Sequence, residues 1–399
     1  MDEREGRRME ELVARLMAEG GYRRGEVRVV RSPLRVCPLG AHIDHQLGKV
    51  TGFALDKAVL LAYVPDPCGR VRLRSRDFEG AVEFGLADIG PARPGDWGNY
   101  PRGAASVLRA AHGIGVGLDG VVSGPLPIGG LSSSAAVNVA YLLALEAAND
   151  LVVDGPANIA LAQRIENEYI GLSNGILDQS MILLSRSGAL TCLDCQDRAV
   201  RHVLGPPGMK FDVIIAYSGV SRALVGTDYN RRVSECGEAA RELLARAALA
   251  APGDPRLRYV PPEVFTAHGG ELAPALRRRA AHFFGEMARV ETGIAAWGRG
   301  DLATIGALMA ESGRSSIDNY ECGSPHLVTL HTLLNSLPGV YGARFSGAGF
   351  GGSALALAHP DARERIVAAF SRAYPQAHPD VRDTYSLHFV GTCDAAGMV

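Results

Sequence analysis

Four short stretches of the chain gather the residue types that handle anions and protons. The first, Pro127-Ile128-Gly129-Gly130-Leu131-Ser132-Ser133-Ser134-Ala135-Ala136, runs from glycines through three serines into an apolar segment that reaches about Asn149. Adjacent glycines let backbone N–H groups turn inward as an anion nest. The serines then fall in the first turn of a helix, where unpaired N–H groups and the positive dipole end favour phosphate. Their hydroxyls are also ligands for a hard cation such as Mg²⁺. A serine-capped helix opening on alanines is the competing reading of the same residues. The second stretch, Arg35-Val36-Cys37-Pro38-Leu39-Gly40-Ala41-His42-Ile43-Asp44-His45, packs an arginine, two histidines and a carboxylate around an expected strand end, more polar chemistry than a turn requires. The third, Gly175-Ile176-Leu177-Asp178-Gln179, sets a carboxylate at an expected helix start, where a capping role would also account for it. The fourth, Gly347–Gly352, is a second glycine loop, able to position from the other half of the chain what the first loop cradles.

Two generic nucleotide patterns do not survive their context. Gly115–Gly120 fits G-x-G-x-x-G but follows an expected helix and precedes a strand, the reverse of a dinucleotide site. Gly347–Gly352 fits it too, yet lies between two strand-like runs. Gly124 to Gly129 lacks the Lys-Ser/Thr of a Walker loop, and no His-Arg-Asp or Asp-Phe-Gly set marks a protein kinase.

The elements that must position these stretches alternate in type. Residues 7–19 have helical spacing, and a strand over Glu26–Val30 is expected to stop at Pro33. Strands over Lys49–Val64 and Val71–Phe84 follow, then a helix near Tyr100–Ala111, a strand at Gly120–Ser123, and the long helix after the serines. Another helix is expected over Ala157–Tyr169, one from Asp178, and a strand at Gly188–Asp194. Gly205-Pro206-Pro207-Gly208 continues neither helix nor sheet, which divides the chain into 1–205 and 206–399. The second half should open on a buried strand, Phe211–Tyr217. Helices follow near Tyr229–Leu249, Leu272–Trp297, Leu302–Ser312 and Pro325–Ser336, then strands at Ala343–Ser346 and Ser353–Ala358, the helix Pro360–Ala373 and a last strand, Tyr385–Val390. The pattern is mixed α/β (α+β).

Composition limits what the chain can hold. Its 399 residues carry 41 Lys+Arg against 43 Asp+Glu, which argues against nucleic acid or an anionic membrane as a partner through bulk charge. Any anionic ligand must be held locally. Glycine, 48 residues or about 12% against a usual share of about 7%, points to loops and close backbone approaches. Seven scattered cysteines form no disulfide framework, and the one C-x-x-C, Cys192 to Cys195, sits in a strand-like run without a second pair. With a charged start and no run of about 18 apolar residues, a cytoplasmic protein is expected.

Together and in this order, the motifs resemble the GHMP kinase superfamily, named for galactokinase, homoserine kinase, mevalonate kinase and phosphomevalonate kinase. Arg35–His45 is similar to the galactokinase signature Arg-Val-Asn-Leu-Ile-Gly-Glu-His-Thr-Asp-Tyr, Gly130–Ala136 to Gly-Leu-Ser-Ser-Ser-Ala, and Gly342–Gly352 to the third motif. Trp97–Tyr100, Ile176–Gln179 and Thr227–Arg232 supply further matches. The resemblance implies a two-domain fold with a ferredoxin-like C-terminal domain, and ATP and a sugar as substrates. It implies ATP binding by Gly129, Gly130, Leu131, Ser132, Ser133, Ser134, Ala135, Gly347 and Gly349. Ser134 and Glu166 would be ligands of Mg²⁺, with Glu168 as a rival to Glu166. Asp178 would take the proton of the anomeric hydroxyl while Arg35 stabilises the developing charge. Ala41, His42, Asp44, Asp178 and Tyr229 would line the sugar. Where the galactokinase pattern has a Glu facing C6, this chain has Ala41, which resembles the galacturonate-phosphorylating members from plants. Removing that carboxylate makes room for a C6 carboxylate, since facing like charges cost several kcal/mol. Galacturonate is the expected acceptor, with galactose, arabinose or a catalytically inactive sugar and nucleotide sensor as alternatives. A cation should meet the uronate; Arg222 is the first candidate and Arg102 the second.

Overall fold

The computed structural model describes residues 2–125, 130–220 and 228–399. Its spine is the 18-residue strand Lys49–Asp66, buried along most of its length. Along its outer half it lies between Arg28–Val36 and Gly117–Ser123, both antiparallel; beyond the latter come Arg70–Ser75, in parallel, and Ala81–Gly85. Its inner half pairs with Ala189–Asp194, which carries Val200–Leu204 at the edge. The helix Ser133–Ala148 is apolar on nearly every face and lies across Arg28–Val36 and Lys49–Asp66, as a core helix must. The amphipathic helix Glu3–Gly20 packs on Lys49–Asp66 and Gly117–Ser123, with Leu12, Val13 and Leu16 buried.

Pro33 does not end the first strand as its missing N–H suggests. The strand runs to Val36 through an irregularity between Pro33 and Arg35, a bulge where a ladder bond is lost anyway. The Arg35 N–H leaves the ladder and donates to Leu131 O at 3.3 Å, so the bulge fastens the strand end to the serine loop.

The second sheet is antiparallel throughout, in the order Ser386–Val390, Asp212–Tyr217, Ser353–Ala358, Val340–Phe345. Counted along the chain that is 4-1-3-2. With Arg363–Ala377 between its third and fourth strands and helices between the first and second, it has the ferredoxin-like β-α-β-β-α-β order. The first crossover is expanded by Tyr229–Arg246, the 25-residue Pro274–Gly298, Leu302–Asp318 and Pro325–Ser336. After Val390 the chain returns to the first sheet, where Thr392–Cys393 pairs with Lys49–Asp66 and Gly397–Met398 with Arg28–Val36. Among the described residues no helix is long and apolar enough to cross a membrane, and all seven cysteines are free.

Candidate active site

The four stretches singled out from sequence meet at one place. Arg35, buried at the end of its strand, donates from Nε to Asp178 Oδ1 at 2.7 Å, and its Nη2 lies 2.6 Å from the same oxygen. Asp178 sits in the first turn of Leu177–Leu184 and accepts the Ser132 hydroxyl on Oδ2. Arg35 is 3% exposed against 27% for Asp178, so the carboxylate, not the guanidinium, reaches the open side. Ser132 can make its bond because its backbone is left-handed, φ +55°, just before the helix Ser133–Ala148 begins. The glycine loops touch: a Cβ on Gly130 would lie 2.7 Å from Ser353 N, and one on Gly347 would lie 3.0 Å from Gly130 O. Both positions also have positive φ, so each requires glycine twice over.

Two more carboxylates face Asp178. Asp44 accepts the Leu177 N–H at 3.2 Å, and burial together with the charge of Asp178 pushes its pKa up to about 6. Gly175 permits this: a Cβ there would lie 2.5 Å from Asp44 Cγ and 2.6 Å from His45 N. Glu166 is almost fully buried in the π-helical run Ile165–Ile170 that continues the helix Gly155–Arg164. The expected single helix Ala157–Tyr169 therefore changes pitch at this carboxylate, a device that re-aims side chains near functional sites. Glu166 accepts the Asn174 side-chain amide, yet burial first and then the charge of Asp178 push its pKa up to about 7. A buried carboxylate facing two others with one neutral donor is the environment a divalent cation would relieve, and the nearby oxygen donors suit a hard ion. Glu168, by contrast, is exposed and paired with Arg164 at 2.9 Å.

The loop holding Ala41 is clamped from behind by one helix, Pro274–Gly298. His282 Nε2 lies 3.0 Å from Ala41 O and Glu286 accepts the Gly40 N–H at 2.8 Å, one turn apart. His282 donates from Nε2, so its Nδ1 accepts from Ser315 Oγ at 3.0 Å. Burial lowers its pKa to about 4 and keeps it neutral. His42 stacks on Tyr320 at 4.4 Å between ring centres, and His45 Nε2 lies 3.2 Å from the Tyr320 hydroxyl. Burial holds His42 well below its usual pKa and His45 at about 3. Neither supplies a positive charge at neutral pH. Tyr229 opens the helix Tyr229–Arg246, with its ring edge-on to that of His45 at 6.3 Å between centres.

The structure therefore brings together Arg35, Ala41, His42, Asp44, Gly130, Leu131, Ser132, Glu166, Asp178, Tyr229, Gly347 and Gly349, with Ser133, Ser134 and Ala135 in the helix start beside them. Gly129 and Arg222 lie outside the described residues. Arg102 is buried in an ion pair with Asp96 at 2.8 Å. Sequence reasoning missed the His282 and Glu286 clamp, Asn174 on Glu166, and Ser132 as a partner of Asp178. Only Asn174, adjacent to the stretch Gly175–Gln179, carried a local signal.

Known proteins resemble this chain in sequence and in fold. Residues 99–186 match the family GHMP kinases N terminal domain, and residues 293–376 match GHMP kinases C terminal. A galacturonokinase of Arabidopsis thaliana is 45% identical over 381 residues, 90% of this chain and 90% of that protein. A galactokinase of Roseiflexus sp. (strain RS-1) is 35% identical, covering 93% of each. The crystal structure of Lactococcus lactis galactokinase complexed with galactose superposes with a TM-score of 0.86 at 29% identity, over 94% of this chain and 95% of that one. Methanococcus jannaschii mevalonate kinase, at 16% identity and a TM-score of 0.65, shares the fold.

Proposed function

The chain belongs to the GHMP kinase family, and from that premise we propose that it transfers the γ-phosphate of ATP to the anomeric hydroxyl of D-galacturonate, giving ADP and D-galacturonate 1-phosphate. The observation that carries the choice of acceptor is Ala41: its carbonyl and the preceding Gly40 N–H are held by the Pro274–Gly298 helix, and it offers no charge where the galactokinase pattern has Glu.

Asp178 is the group that meets the hydroxyl. Its Oδ1 is held by Arg35 Nε and Nη2, while its Oδ2 accepts from Ser132 and has a second lone pair free for the sugar. As the hydroxyl oxygen attacks phosphorus, its proton passes to Asp178, and Arg35 offsets the charge building between them. Asp44, His42 and Tyr229 hold the ring. The N–H groups of 130–135, at the start of Ser133–Ala148, cradle the phosphates, and Gly347 and Gly349 cover them from the second sheet. Glu166 and Ser134 would hold Mg²⁺, which when bound neutralises phosphate charge. Both glycine loops approach the nucleotide with backbone alone, so the site handles two anions without a basic patch. The free cysteines fit a reducing cytoplasm.

A coupled ADP-release assay with galacturonate, galactose and arabinose tests the reading. Galacturonate should have the highest kcat/KM. A higher value for galactose, the acceptor in the second reading favoured by the 35% identical galactokinase, would overturn it. ATP binding without turnover of any sugar would leave a sensor instead.

A further inference from the structure

Far along the chain from the reacting groups, two histidines and an aspartate converge on the surface of the second half. His326 is the second residue of the helix Pro325–Ser336, while His378 and Asp380 flank the turn after Arg363–Ala377. The rings of His326 and His378 stack at 4.1 Å, His326 Nε2 lies 2.9 Å from Asp380 Oδ2, and His378 Nε2 lies 2.9 Å from Thr329 Oγ1. One ligand atom from each of the three lies within 4.8 Å of the other two.

We propose that His326, His378 and Asp380 form a binding site for a borderline divalent cation of the zinc class, separate from the Mg²⁺-ATP site. Two imidazoles and one carboxylate suit Zn²⁺, Co²⁺ or Ni²⁺ rather than Mg²⁺ or Ca²⁺. With metal–ligand bonds of about 2.0–2.1 Å, tetrahedral ligand atoms sit about 3.3 Å apart. From separations of at most 4.8 Å, the three ligand atoms need to close by about 1.5 Å at most to reach that spacing. The half-buried histidines and exposed Asp380 leave the fourth position to water. At His326 the metal takes the place of the proton on Nε2, which moves to Nδ1.

The site would fasten two pieces linked to the second glycine loop, one directly and one through residues 218–220. Ahead of the helix Pro325–Ser336, the Gly323 N–H donates to Gly349 O at 2.7 Å. Behind the turn, the Thr384 hydroxyl donates to Gly219 O at 3.2 Å, and Gly352 exchanges backbone bonds with Ser218 and Val220. A bound cation would brace Gly347–Gly352 from outside.

The test is a calorimetric titration of the untagged full chain with Zn²⁺ in excess Mg²⁺, paired with Co²⁺ absorption and thermal unfolding. One equivalent should bind, with tetrahedral Co²⁺ bands lacking a thiolate charge-transfer component, and saturating Zn²⁺ should raise Tm by several degrees. His326→Ala and His378→Ala should each lose the binding and the Tm rise while keeping wild-type kinase activity, which also shows that they fold. If either variant loses activity and unfolds, Asp380→Asn provides the same comparison. Absence of Zn²⁺ uptake by the wild type, uptake unchanged in His378→Ala, or thiolate bands with Co²⁺ overturns the proposal.

Discussion

Gly175→Ala isolates the part of the site that rests on a single missing side chain. The added methyl would meet Asp44 Cγ at 2.5 Å and His45 N at 2.6 Å, where ordinary contact begins at 3.4 Å. About 1 Å of movement is therefore required. The φ of Gly175 is not in the left-handed region, so the substitution carries no backbone strain and acts through the contact. His45 N belongs to the chain and yields little, whereas the Asp44 carboxylate can swing, at the expense of its bond from the Leu177 N–H. Misplacing a substrate-positioning group by 1 Å costs on the order of 10²-fold. The expected result is thus a fall of about 100-fold in kcat/KM for the sugar, or ~2.7 kcal/mol, carried mainly by KM, with KM for ATP within about twofold of wild type. Overpacking of this kind costs about 1–3 kcal/mol of stability, visible as a modest fall in Tm. In an Asp44→Ala background only the contact with His45 N remains, so the same substitution should change sugar kinetics much less than in the wild type. Steady-state kinetics on the four proteins decide the matter. A Gly175→Ala enzyme with wild-type sugar KM, or effects that add fully in the double variant, would refute the route through Asp44.

Four further outcomes are expected. Ala41→Glu should lower kcat/KM for galacturonate by about 100-fold or more, since facing like charges cost several kcal/mol, and should spare or improve galactose; equal losses on both sugars would count against charge as the cause. Ser132→Ala removes a hydroxyl donor from a carboxylate, a bond worth about 1.5–3 kcal/mol, so kcat should fall about 10–100-fold at unchanged KM for ATP; a rise in that KM alone would make Ser132 a phosphate ligand only. His282→Ala leaves the Ala41 carbonyl unpaired at a cost of about 1–3 kcal/mol and should raise sugar KM, with His282→Gln partly restoring it; an unchanged sugar KM in His282→Ala would refute the clamp. Glu166, with its pKa at about 7, must be ionised to hold Mg²⁺. At limiting Mg²⁺, activity should therefore rise with pH through about 7, and this limb should move to lower pH as Mg²⁺ increases, because metal and proton compete; a limb indifferent to Mg²⁺ would remove Glu166 from the metal.

Sequence was informative where the physics is local. Ser324 followed by Pro325 marks a helix start by capping chemistry alone, and Pro325–Ser336 begins and ends where its pattern says. Ser353–Ala358 is an unbroken apolar run, and it is a fully buried strand. Val200–Leu204 went unread because no residue in it is buried, so burial left no period to detect. Pro33 suggested a stop since proline lacks a donor, yet a bulge tolerates that loss. The glycines and serines were legible as a loop able to meet anions. The pairing of Arg35 with Asp178, 143 residues apart, was legible only through likeness to other kinases. Nothing in the order of residues announces that Ser132 turns left-handed, or that a helix beginning at Pro274 grips the backbone of Ala41; both depend on packing that no window of sequence contains.

The return of the chain after Val390 means that the second sheet is enclosed in sequence by the first. A cut at 205/206 therefore does not free a self-sufficient half. The fragment 1–205 would lack Gly397–Met398 and Thr392–Cys393, leaving the outer side of Arg28–Val36 with bare donors and acceptors beside Val30. An open edge of that kind invites pairing with another chain. Two crossings, at Gly205–Gly208 and at Gly391, join the sheets, and a hollow between them is lined by Pro206, Met209, Phe211 and Val390. The Pro274–Gly298 helix, part of the second half, also grips Gly40 and Ala41 of the first, so the sheets are tied beside the reaction centre as well as at the crossings.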